Sequence, residues 1–180
     1  MSYFKRKYHG SLARSKNYAA REIRAKSRLV QYLGHLYYIY RFGKGVEKLG
    51  IIKGVHAPRF DFILKPRWGK LPIILIEVTG DRIDDYSAYV LCEKLWKARK
   101  LGVQDRVWIM YNKEARGLFS FRFFNAAELL KTIETGRNRC FKFSDLFPGE
   151  GPMLRVDYDS GLTIKQFMKV ILNGWDCSYI

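Results

Sequence analysis

The sequence predicts an α/β protein whose mixed central sheet is flanked by helices, in the order helix, strand, strand, strand, helix, strand. Three observations predict it. The β-prone runs HLYYIYRF, PRFDFIL and PIILIEVTG follow one another within residues 35–80. Segments of helical period bracket them, YAAREIRAKSRLVQYL before and DDYSAYVLCEKLWKARKLG after. The next run, VQDRVWIMYN, is apolar without alternation, as in a strand buried on both faces.

Residues 1–16 are basic and polar and read as an N-terminal arm. Between Tyr18 and Leu33, Ala19, Ile23, Leu29, Val30 and Leu33 share one helical face, with Arg21, Arg24, Lys26 and Arg28 outside it. A first strand covers Tyr37 to Phe42, and residues 43–58, rich in Gly and Lys, form an exposed loop. Arg59 to Leu64 and Ile73 to Thr79 are the next two strands, turning through Pro66 to Pro72. A second helix is expected across 84–102, with Tyr86, Tyr89, Val90, Leu95, Trp96 and Leu101 in helical rhythm, Asp81, Asp84 and Asp85 at its start and Gly102 as its stop. Arg106 to Tyr111 is an interior strand and residues 118–124 another, followed by a helix with Asn125 as N-cap and Gly136 as its stop. A strand at LRVDY and a helix at TIKQFMKVIL opened by Thr163 complete the chain. The expected organisation is a core over residues 17–140 with 141–180 as an accessory extension of the same domain.

Composition narrows the partners. Thirty-three Lys and Arg against seventeen Asp and Glu give a formal charge of +16 in 180 residues, an excess that points to a polyanion, most commonly phosphate backbone. No apolar run is long enough to span a bilayer and no secretory signal is evident at the N-terminus, so an intracellular, cytoplasmic protein without a membrane partner is expected. Cys92, Cys140 and Cys177 are odd in number, widely spaced and without a CxxC pair; they read as isolated thiols. His9, His35 and His56 are scattered and read as solvated or hydrogen-bonded.

The chemistry gathers in FDFILKPRWGKLPIILIEVTGDR, residues 60–82. A hairpin centred on Gly69 sets Asp61 opposite Glu77 and Ile63 opposite Leu75 on one face. Like charges across a hairpin are destabilising, and a divalent cation between them would relieve the repulsion. The competing reading leaves both acids on an exposed edge, paired with Arg59, Arg82 or Lys70.

The element order, with Asp61 on the second strand and Glu77 on the third, resembles the core of the PD-(D/E)xK nuclease superfamily. The basic first helix REIRAKSRLVQYL, the Gly-rich loop, PRFDFIL, IILIEVTGDR and KARKLG are most similar to archaeal Holliday junction resolvases, over roughly residues 18–130. The resemblance implies a restriction-endonuclease-like core. It implies that Asp61 and Glu77 hold Mg2+ or Mn2+, with the Val78 carbonyl as a further ligand, and that Glu22 is the first-helix acid, binding outer-sphere water or a second ion. The lysine of the motif falls on Thr79, whose hydroxyl shares a face with Glu77 but carries no charge. Either Lys65, Lys94 or Lys97 replaces it, or turnover is weak or lost. Lys94, Lys97, Arg99 and Lys100 read first as a solvated or phosphate-touching helix face, ahead of a relocated catalytic charge, and Lys44, Lys48 and Lys53 of the loop join them as phosphate contacts. The expected function is a metal-dependent endonuclease for branched or structured DNA, working as a homodimer with no small-molecule cofactor. The alternative is a DNA-binding or architectural protein that keeps the fold without the turnover.

Overall fold

Apolar residues at period 2 on two neighbouring strands bury both faces of a sheet, and the architecture grows from that pair. In the computed structural model, which describes residues 20–41, 60–81, 85–115, 118–146 and 150–173, the elements begin with helix α1 over 20–33. Strands β1 (Tyr37–Arg41), β2 (Phe62–Pro66), β3 (Ile74–Asp81) and β4 (Ser87–Leu91) precede helix α2 (Cys92–Lys100). Then come β5 (Val107–Ala115), β6 (Leu118–Asn125), α3 (Ala126–Glu134), β7 (Cys140–Phe141), β8 (Met153–Asp157) and α4 (Ile164–Leu172). A five-stranded mixed sheet runs β1-β2-β3-β5-β6, and a three-stranded sheet runs β4-β8-β7.

Among the described strands only β3 and β5 pair in parallel, because α2 carries the chain back across the sheet between them. On β5, Val107, Ile109 and Tyr111 enter one core with α2, α3 and the small sheet, while Trp108 and Met110 enter a second core with α1 and α4. The unalternated run in the sequence is this strand, buried on both faces. On β3, Leu75 faces the α2 side and Ile74, Ile76 and Val78 the α1 side. Alternation therefore turns Glu77 and Thr79 toward α2.

The hairpin register is the one expected from the sequence: Phe62 pairs with Ile76, Ile63 with Leu75 and Leu64 with Ile74. Gly69, at φ 75°, turns the loop. The second strand starts at Phe62 rather than Arg59, so Asp61 stands immediately before it.

Three expectations need correction. Ser87–Leu91 is strand, not helix, because it pairs residue for residue with β8, from Ser87 opposite Asp157 to Leu91 opposite Met153. The helix begins at Cys92 and ends in a Schellman turn, Val103 N–H bonding Ala98 O at 3.0 Å and Gly102 N–H bonding Arg99 O at 2.9 Å. On α1 the buried stripe is Ala25, Leu29 and Leu33, leaving Ile23 65% and Val30 50% exposed. Cys92 and Cys140 form a disulfide rather than two isolated thiols, since the β4–β8–β7 pairing brings their Cα atoms to 6.4 Å. Cys177 lies outside the described residues, as do the N-terminal arm and residues 42–59.

The other helix starts follow the sequence. The Asn125 side chain accepts from Ala127 N–H at 2.9 Å and from Glu128 N–H at 3.3 Å. Thr163 and Gln166 form a capping box on α4. Residues beyond 140 pack into both cores, Leu154, Val156 and Tyr158 on one side and Phe167 and Ile171 on the other. No described helix is long and apolar enough to cross a membrane.

Candidate active site

Asp61, Glu77, Val78, Thr79 and Glu22 line one pocket of about 290 Å3, and Lys94 of α2 closes it. Each arrives by a different route. Glu77 and Thr79 are successive residues of one face of β3. Asp61 is placed by the hairpin register and fixed by the Val78 N–H, which donates to its Oδ2 at 2.7 Å. Glu22 lies one turn before Ala25 on the buried stripe of α1, so it points inward while Ile23 does not. Its carboxylate accepts a hydrogen bond from Arg41 at the end of β1. Lys94 Nζ lies 2.7 Å from Glu77 Oε1, with a third of its side chain exposed.

The electrostatics follow from placing two carboxylates in this wall. Burial, then the neighbouring Asp61 charge, pushes the Glu77 carboxyl up to about 7, against the pull of Lys94. Burial likewise raises the Asp61 carboxyl, offset by the Val78 hydrogen bond. Burial lowers the Lys94 ammonium, but Glu77 together with Asp61 and Glu93 more than reverses this, so Lys94 is held above its ordinary value. Glu77 Oε2 is buried without a hydrogen-bond partner. A buried carboxylate oxygen left unpaired beside a second carboxylate fits a hard cation, and Mg2+ typically takes one or two protein carboxylates and keeps several waters. No cluster of three or more His, Cys, Asp or Glu forms a ready-made cage among the described residues.

The competing reading, in which both acids lie on an exposed edge, does not describe Glu77: it is buried and its ion-pair partner is Lys94, not Lys70. Arg59 and Arg82 lie outside the described residues. Of the replacement lysines, Lys94 enters the pocket, Lys97 lies on the exposed side of α2 and adds only its field to Glu77, and Lys65 is exposed on β2 away from the lining. Arg99 is drawn to Glu134 of α3 at 2.6 Å, and Lys100 is exposed. Lys44, Lys48 and Lys53 lie outside the described residues.

Asp81 and Asp85 do not cap α2. Asp81 accepts from the Tyr111 hydroxyl and pairs with Lys113 at 3.6 Å. Asp85 accepts from Lys113 Nζ at 2.7 Å and from the Tyr89 hydroxyl at 2.8 Å. Desolvation would raise the Asp85 carboxyl, but these donors outweigh it and hold it low. Buried Lys113 thus joins the two sheets through acids that sequence adjacency had assigned to a helix end. Two contacts of the pocket had no sequence signal: the Arg41 partner of Glu22, and the aim of Lys94, which depends on where α2 starts.

A five-stranded mixed sheet with helices on both faces matches a restriction-endonuclease-like fold, the class expected from the sequence. The fold is similar to that of a solved structure of a nuclease from a fusselovirus, with a TM-score of 0.53 at 15% identity over 85% of this chain and 90% of that one. A Holliday junction resolvase from the archaeal hyperthermophile Archaeoglobus fulgidus aligns with a TM-score of 0.41 at 14% identity over 81% of this chain and 92% of that one, too distant to carry an argument. No family profile matches the sequence, and no curated protein sequence matches it.

Proposed function

We propose that the protein is a divalent-metal-dependent endonuclease that hydrolyses phosphodiester bonds in branched or otherwise structured DNA. The observation that carries this reading is the meeting of Asp61, Glu77 and Lys94 in one pocket, with a buried oxygen of Glu77 left without a partner. Asp61 and Glu77 would hold Mg2+ or Mn2+, with the Val78 carbonyl as a third ligand. A cation bound there supplies Lewis-acid neutralisation of charge on the phosphoryl group.

The chain's own residues do the rest. Lys94 supplies the positive charge that Thr79 cannot, from a helix rather than from the strand position two residues after Glu77. Its ammonium beside Glu77 offers a fixed donor to a phosphoryl oxygen, and fixed donors aimed at developing charge are the most effective kind. Thr79, on the same face as Glu77, orients water by its hydroxyl. Glu22, held by Arg41, sets the pocket rim and orders outer-sphere water. The formal charge of +16 supports a nucleic-acid substrate bound through its phosphates. Cutting a junction requires two coordinated sites, hence a homodimer.

The test incubates four-way junction, linear duplex and single-stranded DNA with the protein and Mg2+ or Mn2+, beside Asp61→Ala, Glu77→Ala and Lys94→Ala. The expected result is nicking of the junction by the parent and none by the acid variants, with DNA binding retained. Binding without cleavage under either metal supports instead the non-catalytic DNA-binding reading, which the uncharged Thr79 favours. Cleavage that survives both acid substitutions places the active site elsewhere.

A further inference from the structure

The small sheet has an outer face that meets the acidic pocket only at Leu91. Its inner face, Ala88, Val90, Leu154 and Val156, is buried in the core. Tyr89 pairs with Arg155, and Leu91 and Phe141 both pair with Met153, so these side chains share the outer face. At the β7 end this face opens into a hollow of about 550 Å3 whose lining includes Arg137, Arg139, Phe141, Phe143 and Arg155. Its size lies within the roughly 300–1,000 Å3 typical of ligand clefts.

Two features of the hollow point to an occupant. Phe141 is 55% exposed, although phenylalanine is among the residues most often buried. Its ring stands edge-on to Phe143 with centroids 6.5 Å apart, and Phe143 stands edge-on to Tyr89 at 5.2 Å. Phe141 thus has a second ring against it and keeps more than half of its own surface exposed. Three arginines line the same hollow and no acidic residue among those described does. Arg155 is also held in place, its Nε donating to Ser87 Oγ at 2.7 Å.

We propose that this hollow is a platform for an unpaired strand of DNA, with a base stacked on Phe141 and the flanking phosphates on Arg137, Arg139 and Arg155. Exposed aromatic faces set among cations are how proteins hold single strands irrespective of sequence. A duplex would meet the arginines but has no free base to lay on the ring. Strand β4 also connects the hollow to the acidic pocket. Leu91 lines that pocket and Tyr89, two residues earlier on the same face and about 7 Å away, touches Phe143. The Cys92–Cys140 disulfide further ties the strand bearing Phe141 to the helix bearing Lys94. The platform thus suits a strand that leaves paired DNA next to the cutting site. The identity of the polyanion as DNA rests on the nuclease reading; the preference for unpaired over paired strands rests on the hollow.

The test measures fluorescence anisotropy of labelled oligo(dT) and of a blunt hairpin duplex, without metal, for the full chain and its Phe141→Ala, Phe141→Trp and Arg137→Ala/Arg139→Ala variants. Phe141→Ala should weaken oligo(dT) binding by about tenfold and leave duplex binding within about twofold, while Phe141→Trp retains the parent's affinity. The double arginine variant should lose oligo(dT) affinity and flatten its salt dependence. Unchanged oligo(dT) binding in Phe141→Ala, equal losses on both probes, or a loss that Phe141→Trp does not spare overturns the proposal. Glu77→Gln, assayed in parallel, separates this proposal from the nuclease reading. A parent that never cleaves with Mg2+ or Mn2+ but whose oligo(dT) binding depends on Phe141 refutes the nuclease and upholds the platform.

Discussion

Replacing Glu77 by Gln should leave the metal-free protein more stable than its parent at alkaline pH and abolish the proposed metal binding. Glu77 is buried facing α2, and its carboxyl sits at about 7 instead of the ordinary 4.5, first through burial and second through Asp61, with Lys94 opposing. A carboxyl raised on folding binds its proton more tightly in the folded chain than in the unfolded one. Its contribution to stability is therefore complete below 4.5 and is lost as pH rises through about 7. At about 1.4 kcal/mol per pH unit, the gap between 4.5 and about 7 amounts to about 3 kcal/mol. Gln keeps the shape without the charge, and the pull of Lys94 on the carboxylate is already contained in the value of about 7. The net expectation is therefore about 3 kcal/mol in favour of Gln at about pH 8.5, shrinking toward zero near pH 5. Urea unfolding of parent and variant in EDTA at the two pH values reads this directly, because other titrating groups cancel in the difference. A parent that is the more stable of the two at both pH values, or a difference that does not grow with pH, refutes the reasoning.

Other outcomes follow from the same geometry. Millimolar Mg2+ should raise the parent's melting temperature, more at pH 8 than at pH 6, and leave Asp61→Asn and Glu77→Gln unmoved; calorimetric scans with and without the ion decide it. Lys94→Ala should lower cleavage about 100-fold while Mg2+ stabilisation persists, and single-turnover rates should show partial recovery in Lys94→Arg. Reducing Cys92–Cys140, which closes a loop of 48 residues, should cost about 4 kcal/mol on chain-entropy grounds; chemical unfolding with and without dithiothreitol measures it. Gly80→Ala should cripple folding, since a Cβ there would stand 1.9 Å from the Asn112 carbonyl oxygen of the neighbouring strand, and a fall of many degrees in thermal midpoint is the expected reading.

The hairpin was legible because both of its determinants are local. A turn centred on Gly69 fixes which residues face each other, and strand alternation fixes which face they share, so the Asp61–Glu77 meeting follows from spacing alone. The caps at Asn125 and Thr163 are local in the same sense. Ser87–Leu91 was misread because SAYVL fits a helical period as well as a strand, and its partner β8 lies some seventy residues later. Glu22 could be named from the sequence, but which side of α1 is buried could not, since Ile23 and Val30 make an equally apolar face.

What the sequence by itself determined is the first helix and the three strands up to Glu77, the net positive charge and the hairpin register that sets Asp61 against Glu77, all set by short-range periodicity and composition. The tertiary structure alone decided that α2 begins at Cys92, that Lys94 therefore points at Glu77, and that Cys92 meets Cys140. Each of these depends on pairing across long loops, where the stabilising contact appears only once distant segments have been brought together.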